Sequence, residues 1–579
     1  MLAIESIKKI SIILTLTVSG ICSCSLAEDS RLLPLYNQMK EATDPEGQYE
    51  GWLYGLSQGN TIPENALIPS FPVNTFEMST RDIVIRDFNT EEAGRDPLFG
   101  LKLCTNDSEC QSPDNPHAQC QHLNTFYNGL TGRDTRMCTG ATDQILDDLF
   151  ERIIQAEHRV DIALYHPYTT GRFLAMLRSA ITRLGMTGKS VELRILAGFA
   201  GLSLSHPGLD GVSGEETLRF LTEDLSKIPD QQVTVYLAAT HTSWGLRHCD
   251  GATLNPLQRL SWNHSKLIII DDKQLITGGM NLTDQAYTRY VYDLMYEIRG
   301  PVIQLAQAFT DKLWESACKD TDNPFLSHTY KYDKAITCNI CPEAINRPTL
   351  DSQGQVPILA IGRTGCGLLP DGKQANPSDY ALTLLIQSSQ QNVYIAQQTF
   401  SVLWDTWPEQ AIESIAGSDA MTALASVLLG GKNVYIILSS MGRSALEYDV
   451  NRTKPEEVWQ KVFSIMESLN SNSTNPVDEE TLKKGACDRL HLATNRFGPD
   501  DTWPDGSSPT NHYKVVMVDD DLYYVGSQNL YYSNLQEYGF IIEDPESMKQ
   551  LKKVWWDKLW KHSSRTEYHP DSCSALTSF

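Results

Sequence analysis

Positive charge is scarce in this chain: 48 Lys and Arg residues stand against 72 Asp and Glu residues, so the formal net charge is -24 over 579 residues. Nucleic-acid backbones are held mainly by clustered Lys and Arg, so the composition argues against a general nucleic-acid-binding protein and no nucleic-acid partner is expected. It also argues against recruitment to membranes by a global positive field. A local phosphate site remains possible, because it needs only two or three cations.

Long apolar runs are also missing after the N-terminus, where no stretch approaches 18 uninterrupted apolar residues, so the mature protein is expected to be soluble. At the N-terminus, two lysines precede an apolar run from Ile10 to Ile21, and Ser25-Leu26-Ala27 resembles a small-x-small cleavage site. We predict a secretory signal peptide over residues 1–27, and hence a secreted protein, periplasmic or extracellular. The alternatives are a short membrane anchor, for which the run is short, and a lipoprotein signal, for which Cys22 and Cys24 lie in imperfect contexts.

Zinc-binding patterns are absent or incomplete. Cys338-Asn339-Ile340-Cys341 could form half a zinc site, but there is no second CxxC and no HExxH, so a disulfide is favoured. The chain has 13 cysteines, and removal of the signal peptide leaves an odd number, so at least one is free or paired with another chain. Four cysteines cluster in an Asn-, Asp-, Ser- and Pro-rich stretch of residues 28–140, which we predict to be an accessory region with disulfides: Cys104, Cys110, Cys120 and Cys138.

One string of residues occurs twice. The first copy is Asn263-His264-Ser265-Lys266 through Asp271, followed by Gly278-Gly279-Met280-Asn281. The second is Asn511-His512-Tyr513-Lys514 through Asp519, followed by Gly526-Ser527-Gln528-Asn529. The His, Lys, Asp, first Gly and Asn recur at identical spacing, 248 positions apart. A lone HxK is a weak signal, but this longer pattern twice in one chain indicates a functional site.

The duplication extends to the surrounding pattern. A strand, a helix and a second strand are predicted at Val160–Tyr165, Phe173–Ile181 and Val191–Leu196, and again at Val393–Ala396, Met421–Leu429 and Val434–Leu438. The offset between the copies is 233 at the first strand and 243 at the second. Strands alternating with helices predict an α/β fold, with one lobe over 141–345, another over 355–579, and a linker near Glu343–Val356.

The residue types of the repeated string suit phosphate chemistry. In a strand, residues two apart share a face, so His264 and Lys266 point the same way, as do His512 and Lys514. Asp271 and Asp519 lie an odd number of positions from their His, so we predict structural ion pairs for them. Gly278, Gly279, Gly526 and Ser527 suit a tight turn, and the side chains of Asn281 and Asn529 offer amide donors to phosphate oxygens.

Two histidines from two lobes can divide one reaction between them. A neutral imidazole can attack phosphorus and form a phosphohistidine, while a protonated one can protonate the leaving alkoxide. Two Lys ammonium groups would neutralise the phosphodiester charge in the transition state. Lys beside His would repel a metal cation, so neither a metal nor another cofactor is predicted.

At these residues the chain resembles the phospholipase D superfamily, whose signature is the HxKx4D motif, here at 264–271 and 512–519. Several further segments look like the secreted, Streptomyces-type enzymes, so that the similarity covers about residues 140–575: Ser261–Lys266, Thr277–Gly279, Leu490–Thr494, Gly526–Tyr531, Leu535–Gly539 and the tail ending at Cys573. The resemblance implies a duplicated phospholipase D fold, with two similar α/β/α lobes, mixed sheets and one active site at their interface.

The same resemblance implies site roles. His264 would be the nucleophile and His512 the general acid and base, with Glu537 orienting His264 and Asp293 orienting His512. Lys266, Lys514, Asn281 and Asn529 would bind the substrate phosphate. The chain departs from the secreted enzymes at Glu537, where they usually have Asp, and the longer arm could alter the orientation of His264.

The leading hypothesis is an exported phospholipase D that hydrolyses phosphatidylcholine-like glycerophospholipids without a metal. Its partners would be a phospholipid at a membrane or micelle surface and a water or alcohol acceptor, with the enzyme a monomer. The alternatives are a nuclease or a phospholipid synthase of the same superfamily, and a non-catalytic lipid-binding protein on a retired enzyme fold. Intact motifs in both halves argue against the last of these.

Overall fold

A computed structural model of the chain describes eighteen segments, between which lie gaps. They are residues 30–70, 104–111, 119–122, 136–139, 143–165, 171–198, 214–243, 261–282, 291–319, 327–343, 354–370, 374–398, 400, 416–439, 454–496, 498–502, 508–530 and 534–574. The predicted signal peptide, residues 1–27, lies outside the described residues. Within the described segments, no helix combines the length and the apolar character needed to cross a membrane.

The described strands number 22. In chain order they are β1 (Tyr54–Asn60), β2 (Leu67–Pro69), β3 (Gln119–His122), β4 (Arg136–Thr139), β5 (Arg159–Leu164), β6 (Glu192–Gly198), β7 (Thr234–Ser243), β8 (Ser261–Trp262), β9 (Leu267–Ile270), β10 (Gln274–Gly278), β11 (Val291–Tyr292), β12 (Leu294–Ile298), β13 (Ser327–Asp333), β14 (Ala335–Cys338), β15 (Val356–Arg363), β16 (Asn392–Gln397), β17 (Asn433–Leu438), β18 (Leu490–Thr494), β19 (Thr510–Asn511), β20 (Lys514–Val518), β21 (Leu522–Gly526) and β22 (Glu537–Glu543).

The α-helices of the described segments precede, connect and follow these strands. They are Leu32–Thr43, Asp143–Ile153, Gly171–Met186, Gly214–Thr222, Ile303–Lys319, Pro377–Gln387, Ala416–Leu429, Pro455–Ser471, Glu479–Arg489, Pro545–Leu551, Asp557–Ser563 and Asp571–Ser574. A π-helical turn, Lys552–Trp556, joins two of them near the C-terminus.

Two mixed sheets form the centres of two lobes, as the α/β prediction requires. The first has ten strands in the order β14-β13-β7-β6-β5-β9-β10-β12-β2, with β8 pairing β7. The second has eight strands in the order β1-β15-β22-β21-β20-β16-β17-β18. In both sheets three parallel strands, β5-β6-β7 or β16-β17-β18, continue into antiparallel strands that carry the repeated motif.

Strand register shows which residues of the two lobes are equivalent. Val160 pairs with Ile270 in the first lobe, and Val393 pairs with Val518 in the second, which gives offsets of 233 and 248. Arg159 faces Glu192, whereas Asn392 faces Asn433, so the second strand is offset by 241. The predicted offset of 243 is therefore wrong. A slip of two residues keeps every side chain on the same face, so the apolar pattern could not reveal it.

Of three apolar clusters among the described residues, one extends across both lobes. The runs Leu267–Ile270 and Lys514–Val518 are almost wholly β-branched or aliphatic and buried, as expected for strands covered on both faces. Between the sheets, the ring of Phe309 in one lobe stacks on Tyr538 of the other at 4.4 Å between centroids. The hydroxyl groups of Tyr296 and Tyr523 are hydrogen-bonded across the same boundary at 3.0 Å. This continuous packing holds the two lobes in one fixed arrangement.

Part of the predicted accessory region, residues 28–140, belongs to the sheets themselves. Strand β1 pairs with β15 at the edge of the second sheet, and β2 pairs with β12 at the edge of the first. The helix Leu32–Thr43 packs on Pro377–Gln387 of the second lobe. The boundary predicted at residue 140 is therefore wrong for residues 30–70. Strand β1 carries Gly, Ser, Gln and Asn, so its composition gave little strand signal.

Disulfides link several of the cysteines. Cys104 is bonded to Cys120 in the N-terminal region, and Cys487 is bonded to Cys573 in the C-terminal tail. Cys341 also forms a disulfide, but its partner is Cys318 on the helix Ile303–Lys319 rather than Cys338, which is an exposed free thiol. The CxxC spacing therefore does not represent a local disulfide loop.

Candidate active site

Each motif histidine lies in a short irregular segment between two strands, and the asparagine before it holds that segment in place. The side-chain oxygen of Asn263 accepts the N–H of Ser265 at 3.1 Å, and its amide donates to the carbonyl of Leu164 at 3.0 Å. Asn511 accepts the N–H of Tyr513 at 2.8 Å and donates to the carbonyl of Gln397 at 3.0 Å. These contacts hold His264 beside the end of β5 and His512 beside the end of β16.

The backbone of each histidine segment is also bonded to the other lobe. The N–H of His264 donates to the carbonyl of Gln536 at 2.8 Å, and the N–H of His512 donates to the carbonyl of Tyr292 at 2.8 Å. Parallel bridges accompany these bonds, one between Asn263 and Gln536 and one between β11 and β19. Gln536 precedes Glu537, and Tyr292 precedes Asp293. These backbone contacts between the lobes therefore bring each carboxylate close to the histidine of the other lobe.

The two carboxylates bind the histidine rings across the interface. His264 Nδ1 lies 2.9 Å from Glu537 Oε1, and His512 Nδ1 lies 2.7 Å from Asp293 Oδ2. All four side chains are buried. Because an ionised carboxylate can only accept, Nδ1 of each ring carries a proton and Nε2 is the atom that can react. The structure thus brings Glu537 to His264 and Asp293 to His512, and the longer Glu arm still reaches the ring.

The two motif lysines are buried and bonded alike. Lys266 Nζ donates to the carbonyl of His264 at 2.8 Å, and Lys514 Nζ donates to the carbonyl of His512 at 2.8 Å. Burial lowers the pKa of Lys514 to about 8, although Asp293 and Glu537 act in the opposite sense. Burial, and then the charge of Lys514, lower the pKa of Lys266 well below its usual value. An arriving phosphate anion would be attracted to this pair and would favour their charged forms.

Burial also determines the charge of the histidines. It lowers the pKa of His264 to about 4, with the charges of Lys266 and Lys514 acting in the same direction against the attraction of Glu537. Burial and both lysines lower the pKa of His512 well below its usual value. Burial alone would raise the pKa of Glu537, but His264, Arg363 and Lys266 together lower it to about 2. In the empty site both rings are therefore neutral and Glu537 is ionised.

The motif aspartates lie at the opposite end of their strand from the histidines. Asp271 accepts the backbone N–H groups of residues 157–159 at 2.9 to 3.0 Å, and Asp519 accepts those of residues 390–392 at 2.8 to 3.1 Å. Asp519 also forms an ion pair with Arg31 at 3.0 Å. Both aspartates thus anchor the start of β5 or β16. The histidines precede β9 and β20 rather than lying in them, so the parity argument assumed a longer regular strand than is present.

The glycines of the motif leave room for other atoms. A Cβ on Gly278 would lie 2.1 Å from the carbonyl oxygen of Leu294, and one on Gly279 would lie 2.2 Å from Asp293 Oδ1. At the place equivalent to Gly279, the hydroxyl of Ser527 donates to Glu537 Oε2 at 2.5 Å. A Cβ on Gly526 would lie 2.4 Å from Tyr524 Oη. Gly279 and Ser527 therefore admit and orient the carboxylates, which is more than the tight turn predicted for them.

Comparison with known proteins fits this geometry. A protein-family model described as "Cardiolipin synthase, PLD-like domain" matches residues 149–316. Over 478 residues the chain is 28% identical to a phospholipase D of Streptomyces antibioticus, a match that covers 75% of this chain and 79% of that protein. Residues 149–316 thus match a PLD-like domain, and most of the chain is similar to a phospholipase D. Both signature motifs of the phospholipase D superfamily lie in this one polypeptide.

Solved structures were also matched. A phosphatidylserine synthase from Haemophilus influenzae is 14% identical, with a TM-score of 0.41, over 75% of this chain and 87% of that one. The phospholipase D family member Nuc from Salmonella typhimurium is 15% identical, with a TM-score of 0.20, over 33% of this chain and 89% of that one.

Sequence reasoning missed several residues that support this superfamily site. The guanidinium of Arg363 lies 3.2 Å from Glu537 Oε1 and 3.1 Å from Asp379 Oδ1. The ring of Tyr165 lies edge-on to His264, with 5.0 Å between centroids. Arg363 ends an otherwise apolar strand, which is a signal that could have marked it. Its contact with Glu537 depends on the pairing of β15 with β22, which the sequence does not reveal.

Proposed function

We propose that this chain is an exported phospholipase D that hydrolyses phosphatidylcholine-like glycerophospholipids to phosphatidate and a free head group. The observation that carries the proposal is the paired arrangement of two buried imidazoles, one from each lobe, each bonded at Nδ1 to a carboxylate of the other lobe. The buried side chains of Lys266 and Lys514 accompany them. The similarity to the Streptomyces phospholipase D supports the choice of a phospholipid substrate.

In the first step, Nε2 of His264 attacks phosphorus and the bond from phosphorus to the head-group oxygen breaks. His512 gives its proton to that oxygen, so the head group leaves with a neutral hydroxyl group rather than as an alkoxide. The phosphatidyl group is then bonded to His264. Glu537 holds the Nδ1 proton of His264 throughout, and this stabilises the positive charge that develops on the ring.

His512 must be protonated at the start of this step, although burial and the lysines disfavour its charged form in the empty site. The bound phosphodiester carries a negative charge that offsets Lys266 and Lys514. Since an opposite charge nearby favours the protonated imidazole, substrate binding would raise the pKa of His512 and supply the acid. This couples protonation of His512 to occupancy of the site.

In the second step, His512 removes a proton from water, whose oxygen attacks phosphorus while the bond to His264 Nε2 breaks. Phosphatidate leaves, and His512 again carries a proton. An alcohol in place of water would give a transferred phosphatidyl group by the same movements. The family model that matches residues 149–316 is described as a cardiolipin synthase domain, which favours testing this transfer as the second candidate activity.

The test is choline release from phosphatidylcholine vesicles by the purified protein, with and without EDTA. Choline release that is unaffected by EDTA is expected, because no metal takes part in the proposed steps. Parallel incubations with added glycerol and with single-stranded DNA would reveal a transferase or a nuclease. Cleavage of the DNA but not of the lipid would overturn the phospholipase proposal, as would lipid hydrolysis abolished by EDTA.

A further inference from the structure

The two catalytic carboxylates have different residues at equivalent places beside them. In the second lobe, antiparallel pairing of β15 and β22 puts Arg363 opposite Glu537. In the first lobe, β2 pairs with β12 so that Pro69 faces Leu294, and the next pair outward is Ser70 with Asp293. Ser70 donates its N–H to the carbonyl of Asp293 and accepts the N–H of Asp293 at its hydroxyl, both at 2.9 Å. An arginine in one lobe thus corresponds to a serine in the other.

Arg363 is placed to act on the carboxylate rather than on a substrate. Its side chain is 1% exposed and bonds Glu537 Oε1, the same oxygen that accepts from His264. Its other nitrogen bonds Asp379, on the helix Pro377–Gln387, and Asp379 also accepts from the side-chain amide of Gln528. A continuous line of contacts therefore runs from that helix through Arg363 and Glu537 to the ring of His264.

Arg363 acts on His264 through the carboxylate that the two residues share. Its guanidinium bonds Glu537 Oε1, the oxygen that also accepts from His264 Nδ1. The guanidinium offsets part of the negative charge of Glu537 that would otherwise favour the imidazolium form of His264. The groups that act on Glu537 together with Arg363 come from several elements: His264, Lys266 and Lys514 from the motifs, and Tyr524 from β21. Against burial, His264, Arg363 and Lys266 lower the pKa of Glu537 to about 2, which agrees with this arrangement.

We propose that Arg363 is a positioning residue that shares Glu537 Oε1 with His264 and so helps to hold His264 as a neutral nucleophile, a contact that Ser70 does not provide beside Asp293 in the first lobe. The proposal deepens the phospholipase assignment and rests on it for the word nucleophile. Its physical content, the charge state of His264, can be measured without any substrate.

The experiment compares Arg363→Ser and Arg363→Lys with the wild type and with Arg194→Ser. Arg194 is a matched control because it is also buried and bonded to two carboxylates, Asp161 and Asp311, in the first lobe. Carbethoxylation of His264 by diethyl pyrocarbonate, followed by mass spectrometry against pH, reports the neutral fraction of its ring. The acid limb of kcat/KM for phosphatidylcholine provides the second readout.

For Arg363→Ser, the midpoint of His264 modification and the acid limb are expected to rise together by about one pH unit or more. Arg363→Lys should restore part of the shift, Arg194→Ser should leave both readouts unchanged, and KM should change little because Arg363 does not contact the substrate. An unmoved midpoint in Arg363→Ser, or an equal shift in Arg194→Ser, would overturn the proposal. If Arg363→Ser does not fold, the neutral Arg363→Gln takes its place, and an unmoved midpoint in that variant would overturn the proposal.

Failure of the phospholipase assignment would look different. The wild type would then release no choline, whereas the modification midpoint would still respond to Arg363. Conversely, an active wild type with an unresponsive midpoint would retain the assignment and remove Arg363 from it.

Discussion

Equivalent positions in the two sheets hold charged side chains in the first lobe and aromatic side chains in the second. Beneath the helix Ile303–Lys319, the first sheet buries an ionic network in which Asp161 lies between Arg159 and Arg194, and Arg194 also reaches Asp311. At the equivalent places the second sheet has Tyr394 and Tyr435, stacked at 5.3 Å between ring centroids, and His491 stacked on Tyr435 at 4.5 Å. Trp556 and Trp560 from the C-terminal helices cover these rings.

This comparison separates what the fold requires from what the site requires. Away from the interface, a salt-bridge network and an aromatic stack fill equivalent space on equivalent strands, so the fold demands only that the space be filled and the polar groups be satisfied. At the interface, His, Lys and Asn are kept in both lobes, whereas the carboxylate itself, Asp293 or Glu537, and residues beside it differ. In the proposed mechanism, these differences, which include Arg363 against Ser70 and Ser527 against Gly279, give two similar imidazoles unlike roles.

The largest expected difference between the lobes lies in the two histidines. His264→Ala should abolish turnover and remove any trapped phosphoenzyme, because the attacking atom is gone. His512→Ala should also abolish lipid turnover, but with a phosphodiester whose leaving group needs no proton it should still form the phosphoenzyme and then stall. Acid-quenched samples analysed by phosphopeptide mass spectrometry would check this. A phosphorylated His512 in the wild type would show that the roles are reversed.

Replacing each turn residue with its counterpart from the other lobe should lower kcat by unequal factors. Gly279→Ser would place a Cβ where Asp293 now lies, which should displace the carboxylate from His512 and lower kcat by about 100-fold, the scale of a 1 Å misplacement. Ser527→Gly removes one hydrogen bond to Glu537 but leaves His264 and Arg363 in contact with it, so about a tenfold loss is expected. Steady-state kinetics on both variants, with circular dichroism to verify folding, gives the comparison. Equal losses would show that the two carboxylates are equally sensitive to their turns.

The pH profile of kcat/KM should have an acid limb set by His264 in the first lobe and an alkaline limb to which Lys514 in the second lobe contributes. His264 must be neutral to attack, so kcat/KM should fall as the pH drops through about 4. Lys514 must be charged to hold the phosphate, so kcat/KM should fall as the pH rises through about 8. Lys266 has the same role and its pKa is also lowered, so it can contribute to the same limb. Lys514→Arg cannot lose its charge in this range, so its alkaline limb should move at a reduced rate, whereas the exposed Lys273→Arg should retain both limbs of the wild type. An alkaline limb that does not move in Lys514→Arg would assign it to another group.

The depressed pKa of His264 also has a consequence for stability. The unfolded chain binds a proton at this residue near its ordinary pKa of 6.5, whereas the folded chain binds it only near 4. Folding is therefore opposed increasingly as the pH falls from 6.5 towards 4. His264→Ala should reduce this part of the acid sensitivity, which denaturant melts at pH 7 and pH 4.5 would measure.

The sequence could predict the repeat, the α/β class and the histidine and lysine pairs, because these depend on spacing and apolar periodicity along the chain. It could not predict that Tyr54–Asn60 and Leu67–Pro69 complete the two sheets, since short edge strands have little pattern of their own. Arg363 and Ser70 were missed for a related reason. Their importance arises from register between strands distant in sequence, and a charged or polar residue at a strand end looks ordinary until its partner is known. Glu537 and Asp293 entered only through the family resemblance.

The smallest expected effects concern the two buried networks, which should affect stability and leave catalysis unchanged. Arg194→Met leaves Asp161 and Asp311 without one cation in a buried place, and breaking such a pair costs about 3 kcal/mol. Tyr435→Leu keeps an apolar side chain of similar reach and loses mainly ring stacking, so about 1 kcal/mol is expected. Urea unfolding at pH 7 would give both free energies of unfolding, and kcat/KM should stay within about twofold of the wild type, a change of roughly 0.4 kcal/mol in the barrier. A larger loss in the free energy of unfolding for Tyr435→Leu than for Arg194→Met would mean that the aromatic stack contributes more to stability than the salt-bridge network does. A change in the pH profile of either variant would mean that these networks act on the site, and the separation of fold from function drawn from the two lobes would then fail.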